Sequence, residues 1–382
     1  MSHQIHEKMQ HKQIHRPSSL LSNSYKFIHA TVSRWLPTHK WIRRIAIGGI
    51  VLVLLLMTSM YGIAQWYIAS NKNTPFTQGV SFIPDYASSL GLDPHQTLQA
   101  ILGELGVKHL RLVSYWSDIE PQPGQFNFQE LDYEFAQSNE ANAKVSLSLG
   151  LRQPRWPECH MPNWAQNEPA SVWQPQLENF VTTVVNRYKH NPALSDYQLE
   201  NEYFLRQFGF YGACQNFDRT RLVSEYNLVK SLDPTHQIML ARSNNALGWA
   251  INAPTPDIYG ISIYKRVWDK YYTHRYAEYP FPAWYYAFLA GVQKIINGRD
   301  TIIHEMQAEP WPPQDQNITQ ISLSEQNKSF SAVDFQNRIQ FAKATGMRTV
   351  YYWGAEYWYY RLTVEHDPSV WQIAKQTFHR SE

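Results

Sequence analysis

Short apolar runs alternate with longer amphipathic stretches through most of this chain, and the two kinds of segment differ in period. Strand-like apolar runs lie at 79–83, 109–113, 144–149, 196–202, 237–242, 257–264, 301–305 and 349–353. Between them, 95–105, 129–139, 176–188, 220–232, 284–296 and 332–344 repeat apolar residues at the three- and four-residue spacing of a helix face. The fifth crossover, near 246–252, carries no clear pattern. Parallel strands need a crossover between neighbours and apolar cover on both faces, and eight strand-and-helix units supply both. The pattern therefore predicts an α/β chain closed into a (β/α)8 barrel, the TIM barrel. An open doubly wound sheet is the alternative, but neither the G-x-G-x-x-G turn nor the P-loop such sheets carry occurs.

One apolar stretch is of another kind. No charged residue lies between Ile45 and Asn71, and 50–57 reads Ile-Val-Leu-Val-Leu-Leu-Leu-Met. A transmembrane helix is predicted at 45–69. It begins over forty residues into the chain, exceeds a usual signal h-region and lacks a small-x-small cleavage site, so an uncleaved signal-anchor is expected. Residues 1–44 hold eight Lys and Arg against Glu7, a net charge of +7. The positive-inside rule keeps such a tail in the cytoplasm and places the body of a single-pass protein outside it. The expected organisation is a disordered basic tail at 1–44, the anchor at 45–69, a polar linker at 70–76 and one barrel domain at 77–382.

The remainder of the chain nets −5, which excludes a nucleic-acid-binding body and leaves the tail as a topology signal or a contact for anionic lipid. Six His in the tail have no regular ligand spacing. Cys159 and Cys214 are the only cysteines, in loops after the third and fourth strands, which a barrel sets side by side. Outside the cytoplasm they can join, and the sequence leaves a disulfide and two free thiols equally open.

The candidate chemistry sits where two strand-like runs end on carboxylates. Asp196-Tyr-Gln-Leu-Glu-Asn201-Glu202 and Thr301-Ile-Ile-His-Glu305 each deliver a glutamate to the C-terminal rim of a barrel. Two carboxyl groups so placed are the minimal apparatus for cleaving a glycosidic bond. Glu309 competes with Glu305, but 301–304 already spans to the rim while Glu309 precedes Pro-Trp in the loop, where it suits sugar hydroxyls. Aromatic residues make up 14% of the chain, and Trp116, Trp156, Trp311, Trp353 and Trp358 fall at strand ends or beyond them, where indole faces can stack on pyranose rings. His-Glu-x-x-His is absent and no cofactor or metal is implied; Gly-x-Ser-x-Gly is absent too, which argues against a serine esterase.

From Gly79 to Phe378 the chain resembles the retaining glycoside hydrolases on TIM barrels, the cellulase-like, β-galactosidase-like and β-mannanase-like enzymes with catalytic glutamates after strands four and seven. The resemblance rests on Asn201-Glu202, on Glu305, on Arg111-Leu-Val-Ser-Tyr-Trp116 followed by Glu120-Pro and Gly124-Gln-Phe126, on Gly150-Leu-Arg-Gln-Pro154-Arg-Trp156, and on Tyr264 and Trp353 closing strands six and eight. It implies Glu305 as nucleophile and Glu202 as acid/base, with Asn201 on the sugar 2-hydroxyl and Arg111 and Tyr264 positioning Glu305. Arg111 has another available partner in Glu200, on the same strand face as Glu202. His304 and Tyr203 depart from the residues frequent in the family at those places and leave the subfamily open. The expected partner is an oligo- or polysaccharide with β-linkages; the rival reading is a non-catalytic barrel that binds glycan and tethers the cell to it.

Overall fold

The computed structural model describes residues 40–203, 205, 214, 218–243 and 254–379. The expectations for the tail before Lys40 and for the fifth crossover fall outside these residues. The chain divides into two compact units, Met1–Ser59 and Met60–Glu382.

In the first unit the described residues belong to a helix, Lys40–Ser70, that is long and apolar enough to cross a membrane. The last turns of that helix, from Met60 on, count with the second unit and pack into it. Ala64 and Tyr67 are buried, and Tyr61 meets Trp284 edge to face at 5.9 Å. Gly291, on the helix Ala283–Asn297, admits this segment: a Cβ there would stand 2.8 Å from Ile63 Cγ2.

The second unit is a closed parallel barrel. Its strands are β1 (Thr77–Ser81), β2 (His109–Leu112), β3 (Lys144–Leu149), β4 (Leu194–Leu199), β5 (Gln237–Ser243), β6 (Ile258–Ile263), β9 (Asp300–Gln307) and β10 (Thr349–Trp353), and β10 pairs with β1 to close the ring. β7 (Arg266–Asp269) and β8 (Arg275–Glu278) form an antiparallel hairpin between β6 and the helix Ala283–Asn297. The hairpin has no counterpart in the sequence reading, because its period-two signal is overlain by polar residues. Helices start where local chemistry satisfies their free N–H groups: Asp93 caps Pro94–Gly103, and Ser331 with Asp334 forms a capping box at Ala332–Ala344.

Register explains the centre of the barrel. Ile261 pairs with Ile303, but the next residue, Ser262, pairs with Glu305, so β9 carries one extra residue at His304. The pairing of β9 with β10 slips at the same level. This bulge breaks strand alternation, and His304 and Glu305 both turn inward. Gly260 on β6 makes room: a Cβ there would lie 3.2 Å from the His304 ring.

Candidate active site

Arg111, at the middle of β2, is closed off from solvent and directs every branch of its guanidinium at the strands around it. Nη1 pairs with Glu305 Oε1 at 2.7 Å and reaches Ser81 Oγ at 3.3 Å, Nε donates to Gln198 Oε1 at 2.6 Å, and Nη2 donates to Asn201 Oδ1 at 3.0 Å. The alternative partner, Glu200, is committed elsewhere. It accepts from the backbone of Leu151 and Arg152 and pairs with Arg221 at 2.8 Å, which binds the β3 and β4 loops together. Gly150 is required there: its φ is +102°, and a Cβ would stand 2.6 Å from Glu200 Oε1.

Glu202 lies beyond the end of β4 at φ +43°, while Glu305 is inside β9. Their carboxylates converge: one oxygen of each, with one ring nitrogen of His304, all lie within 4.8 Å of one another. Ser262 sits between them, donating its hydroxyl to Glu202 Oε1 with its Oγ 3.4 Å from Glu305 Oε2. Tyr264 donates to Glu305 Oε2 at 2.8 Å.

The two glutamates are driven apart in acidity. Burial, and next the charge of Glu305, hold the Glu202 carboxyl well above the usual range. Burial pushes Glu305 the same way, but Arg111 and the hydroxyl of Tyr264 outweigh it and bring the group below its ordinary value. The surroundings thus favour the protonated form of Glu202 and the ionised form of Glu305. His304 is neutral, since burial lowers it to about 3.

Sequence reasoning missed a third carboxyl. Glu158, in the loop after β3, accepts from Asn201 Nδ2 at 2.7 Å. Burial and then Glu305 raise it to about 8. Its loop is pinned next door by a disulfide from Cys159 to Cys214, with 5.8 Å between the Cα atoms. The sequence left the bridge open, and nothing local said that Glu158 turns inward. Ser262 was equally silent.

The aromatic candidates divide. Trp353 closes β10 at the rim; its indole N–H donates to Glu309 Oε1 at 2.8 Å, and the Arg155 guanidinium lies over its ring at 4.3 Å. Glu309 is thus engaged by Trp353 and, at 2.8 Å, by Arg155. Trp311 is 42% exposed and meets Tyr264 edge to face at 5.5 Å. Trp156 is 59% exposed, on the loop that leads to Glu158. Trp116 is instead a core residue, packed on Trp164 and Phe180 with its N–H on Glu120, and Trp358 is buried on the helix Ala355–Thr363. Neither reaches the pocket. Sequence cannot separate these cases, because an indole that fills a core and one that lines a rim occupy the same strand-end positions.

Known proteins point the same way. Residues 94–240, less than half of the chain, match the β-galactosidase family, glycoside hydrolase family 42. No curated protein sequence matches the chain. Among solved structures, xylanase 10B from Thermotoga maritima superposes with a TM-score of 0.52 at 13% identity, covering 82% of this chain and 98% of that one. An endo-β-1,4-xylanase of glycoside hydrolase family 10 from Gloeophyllum trabeum does so with a TM-score of 0.50 at 17% identity, covering 73% and 84%. The β-galactosidase from Marinomonas ef1 gives 0.50 at 15% identity, covering 72% and 53%, so the chain spans about half the length of that enzyme. At these identities the likeness is one of fold. The chain shares with these enzymes the fold of a TIM barrel.

Proposed function

We propose that this chain is a membrane-anchored retaining glycoside hydrolase that cleaves β-linked glycans by double displacement. The observation that carries the reading is the pair Glu202 and Glu305: carboxylate oxygens within 4.8 Å, in surroundings that raise the pKa of one and lower that of the other. Retaining enzymes place their two carboxyl groups about 5 Å apart, whereas inverting ones leave room for a water between them. A barrel that only bound glycan has no use for two buried acids tuned in opposite directions.

In the first half-reaction Glu305 attacks the anomeric carbon while Glu202 protonates the departing glycosidic oxygen. In the second, Glu202, now ionised, takes a proton from water as that water displaces Glu305. Arg111 and Tyr264 hold both oxygens of Glu305 and favour its ionised form before attack. Ser262 keeps the carboxyls in register. Asn201, fixed through its Oδ1 by Arg111 and Gln198 and through one Nδ2 hydrogen by Glu158, has its second Nδ2 hydrogen for the 2-hydroxyl. The exposed faces of Trp311 and Trp156, and the rim indole of Trp353, suit pyranose rings. The basic tail before the apolar helix supports a cytoplasmic N-terminus with the barrel outside.

The test is a panel of aryl β-glycosides and polysaccharides assayed with the full chain in detergent, with NMR of the first-formed product. Release of the β-anomer first supports the reading; an α-anomer first, or no turnover on any substrate, sinks it.

A further inference from the structure

A second concavity on the same rim takes no part in this chemistry. The hairpin β7–β8 rises from the end of β6, and Gln307 fastens its base to β9: Oε1 accepts from the backbone N–H of Lys265 and Arg266 at 2.9 and 3.0 Å, and Nε2 donates to Arg266 O at 2.7 Å. Opposite the hairpin runs the loop that follows β9. A groove of about 580 Å³ separates them, with Trp268, Arg275 and Tyr276 on the hairpin wall and Gln314, Gln316 and Glu325 on the other.

The lining has a definite chemistry. Trp268 meets Tyr276 edge to face at 5.2 Å, and its indole N–H has no acceptor among the described residues. Tyr276 donates to Glu325 Oε1 at 2.9 Å and so links the walls, while Lys328 pairs with Glu325 at 2.5 Å and offsets its charge. At the hairpin tip Tyr271 and Tyr272 are 72% and 89% exposed. Aromatic faces and side-chain amides suit the C–H faces and paired hydroxyls of sugar rings, and Arg275 adds a donor for those hydroxyls. A nucleic-acid groove would instead need a cluster of Lys and Arg on the backbone phosphates.

One loop connects the groove to the candidate active site. Tyr264, whose hydroxyl bonds Glu305, touches Trp311, and the same loop lines the groove two residues further on, at Pro313.

We propose that the groove between the β7–β8 hairpin and the loop after β9 is an accessory saccharide site, which holds units of a β-linked chain beyond those flanking the cleaved bond. The proposal rests on the glycosidase reading for its substrate class. It makes the hairpin a device for choosing long chains over short ones.

The experiment compares Trp268→Ala and Gln316→Ala with wild type, all as full chains in detergent. The probes are β-linked hexasaccharides of glucose, xylose, mannose and galactose, and the nitrophenyl β-monosaccharides of the same sugars. Each variant should lose about tenfold in kcat/KM on the hexasaccharide that wild type cleaves, mostly through KM, and change little on the nitrophenyl glycoside. Equal kinetics on both probes, or equal losses on both, overturns the accessory site and leaves the hydrolase reading standing. Gln316→Ala, on an exposed side chain, carries the test if Trp268→Ala lowers Tm. A wild type that turns over no probe sinks the hydrolase reading instead. The site is then decided by native gels containing glucan, xylan, mannan or galactan: retardation of wild type that Trp268→Ala and Gln316→Ala lose supports it, and unretarded wild type or equal retardation overturns it.

Discussion

Arg111 and Glu305 meet at 2.7 Å across the barrel axis, 194 residues apart in sequence and both closed to solvent. A buried pair of this kind costs much when one partner is lost, because the other charge is left without water or counterion. Arg111→Met is therefore expected to destabilise the barrel by roughly 3 kcal/mol or more. Any folded fraction should have Glu305 raised in pKa and the acidic limb of kcat/KM moved to higher pH. A folded variant with an unmoved acidic limb would show that Arg111 does not set the ionisation of Glu305.

The two glutamates are distinguishable by chemical rescue. Glu202→Ala should keep activity on substrates with good leaving groups and, with azide, yield a β-glycosyl azide; Glu305→Ala should not give that product. Product analysis by mass spectrometry and NMR checks the assignment, and the β-azide from Glu305→Ala would reverse it.

Glu158 and Glu356 are raised by burial to about 8 and about 7, from an ordinary value of 4.5. The folded state therefore binds protons that the unfolded chain releases, so their contribution to stability is complete below about pH 4.5 and is lost as pH rises through 7 and 8. Glu158→Gln should be neutral near pH 4.5 and stabilising by roughly 2 kcal/mol or more at pH 8. Denaturant melts at the two pH values check this; an equal effect at both would mean that Glu158 is not protonated in the native state.

The Cys159–Cys214 bridge links positions 55 residues apart and anchors the loop that ends on Glu158. Protein folded under oxidising conditions should show no titratable thiol, and Cys159→Ser with Cys214→Ser should cost about 2–4 kcal/mol. Two thiols in unreduced, denatured protein would remove the bridge from the fold.

Cutting the chain at Thr74 would strip Ile63, Ala64 and Tyr67 from the helix Ala283–Asn297 and uncover an apolar face. A fragment starting at Thr74 should melt lower than one starting at Met60 and should aggregate sooner, since each buried CH2 taken from water contributes about 0.8 kcal/mol. Equal Tm values for the two fragments would show the contact to be dispensable.

By itself the sequence determined the repeating architecture and offered candidates for its site. Runs at 144–149 and 349–353 are β3 and β10 to the residue, and 332–344 is a helix of those bounds. These are local properties, written in period and in caps, and a chain of eight such units has few ways to bury its strands. The glutamates at 202 and 305 stood out because each closes an apolar run, a local feature as well, although Glu202 lies beyond β4 and Glu305 inside β9. Tertiary structure decided what each side chain does there. Strict alternation would turn His304 away from Glu305, but a one-residue bulge against β6 turns both inward. Arg111 had two carboxylates within plausible reach, and it pairs with Glu305 while Arg221, from the helix Arg219–Leu232, takes Glu200. Trp116 went to the core and Trp311 to the surface, although both come shortly after a strand, β2 and β9. Register slips, competition between partners and the filling of space are settled between segments far apart in the chain, so no single stretch of sequence records them.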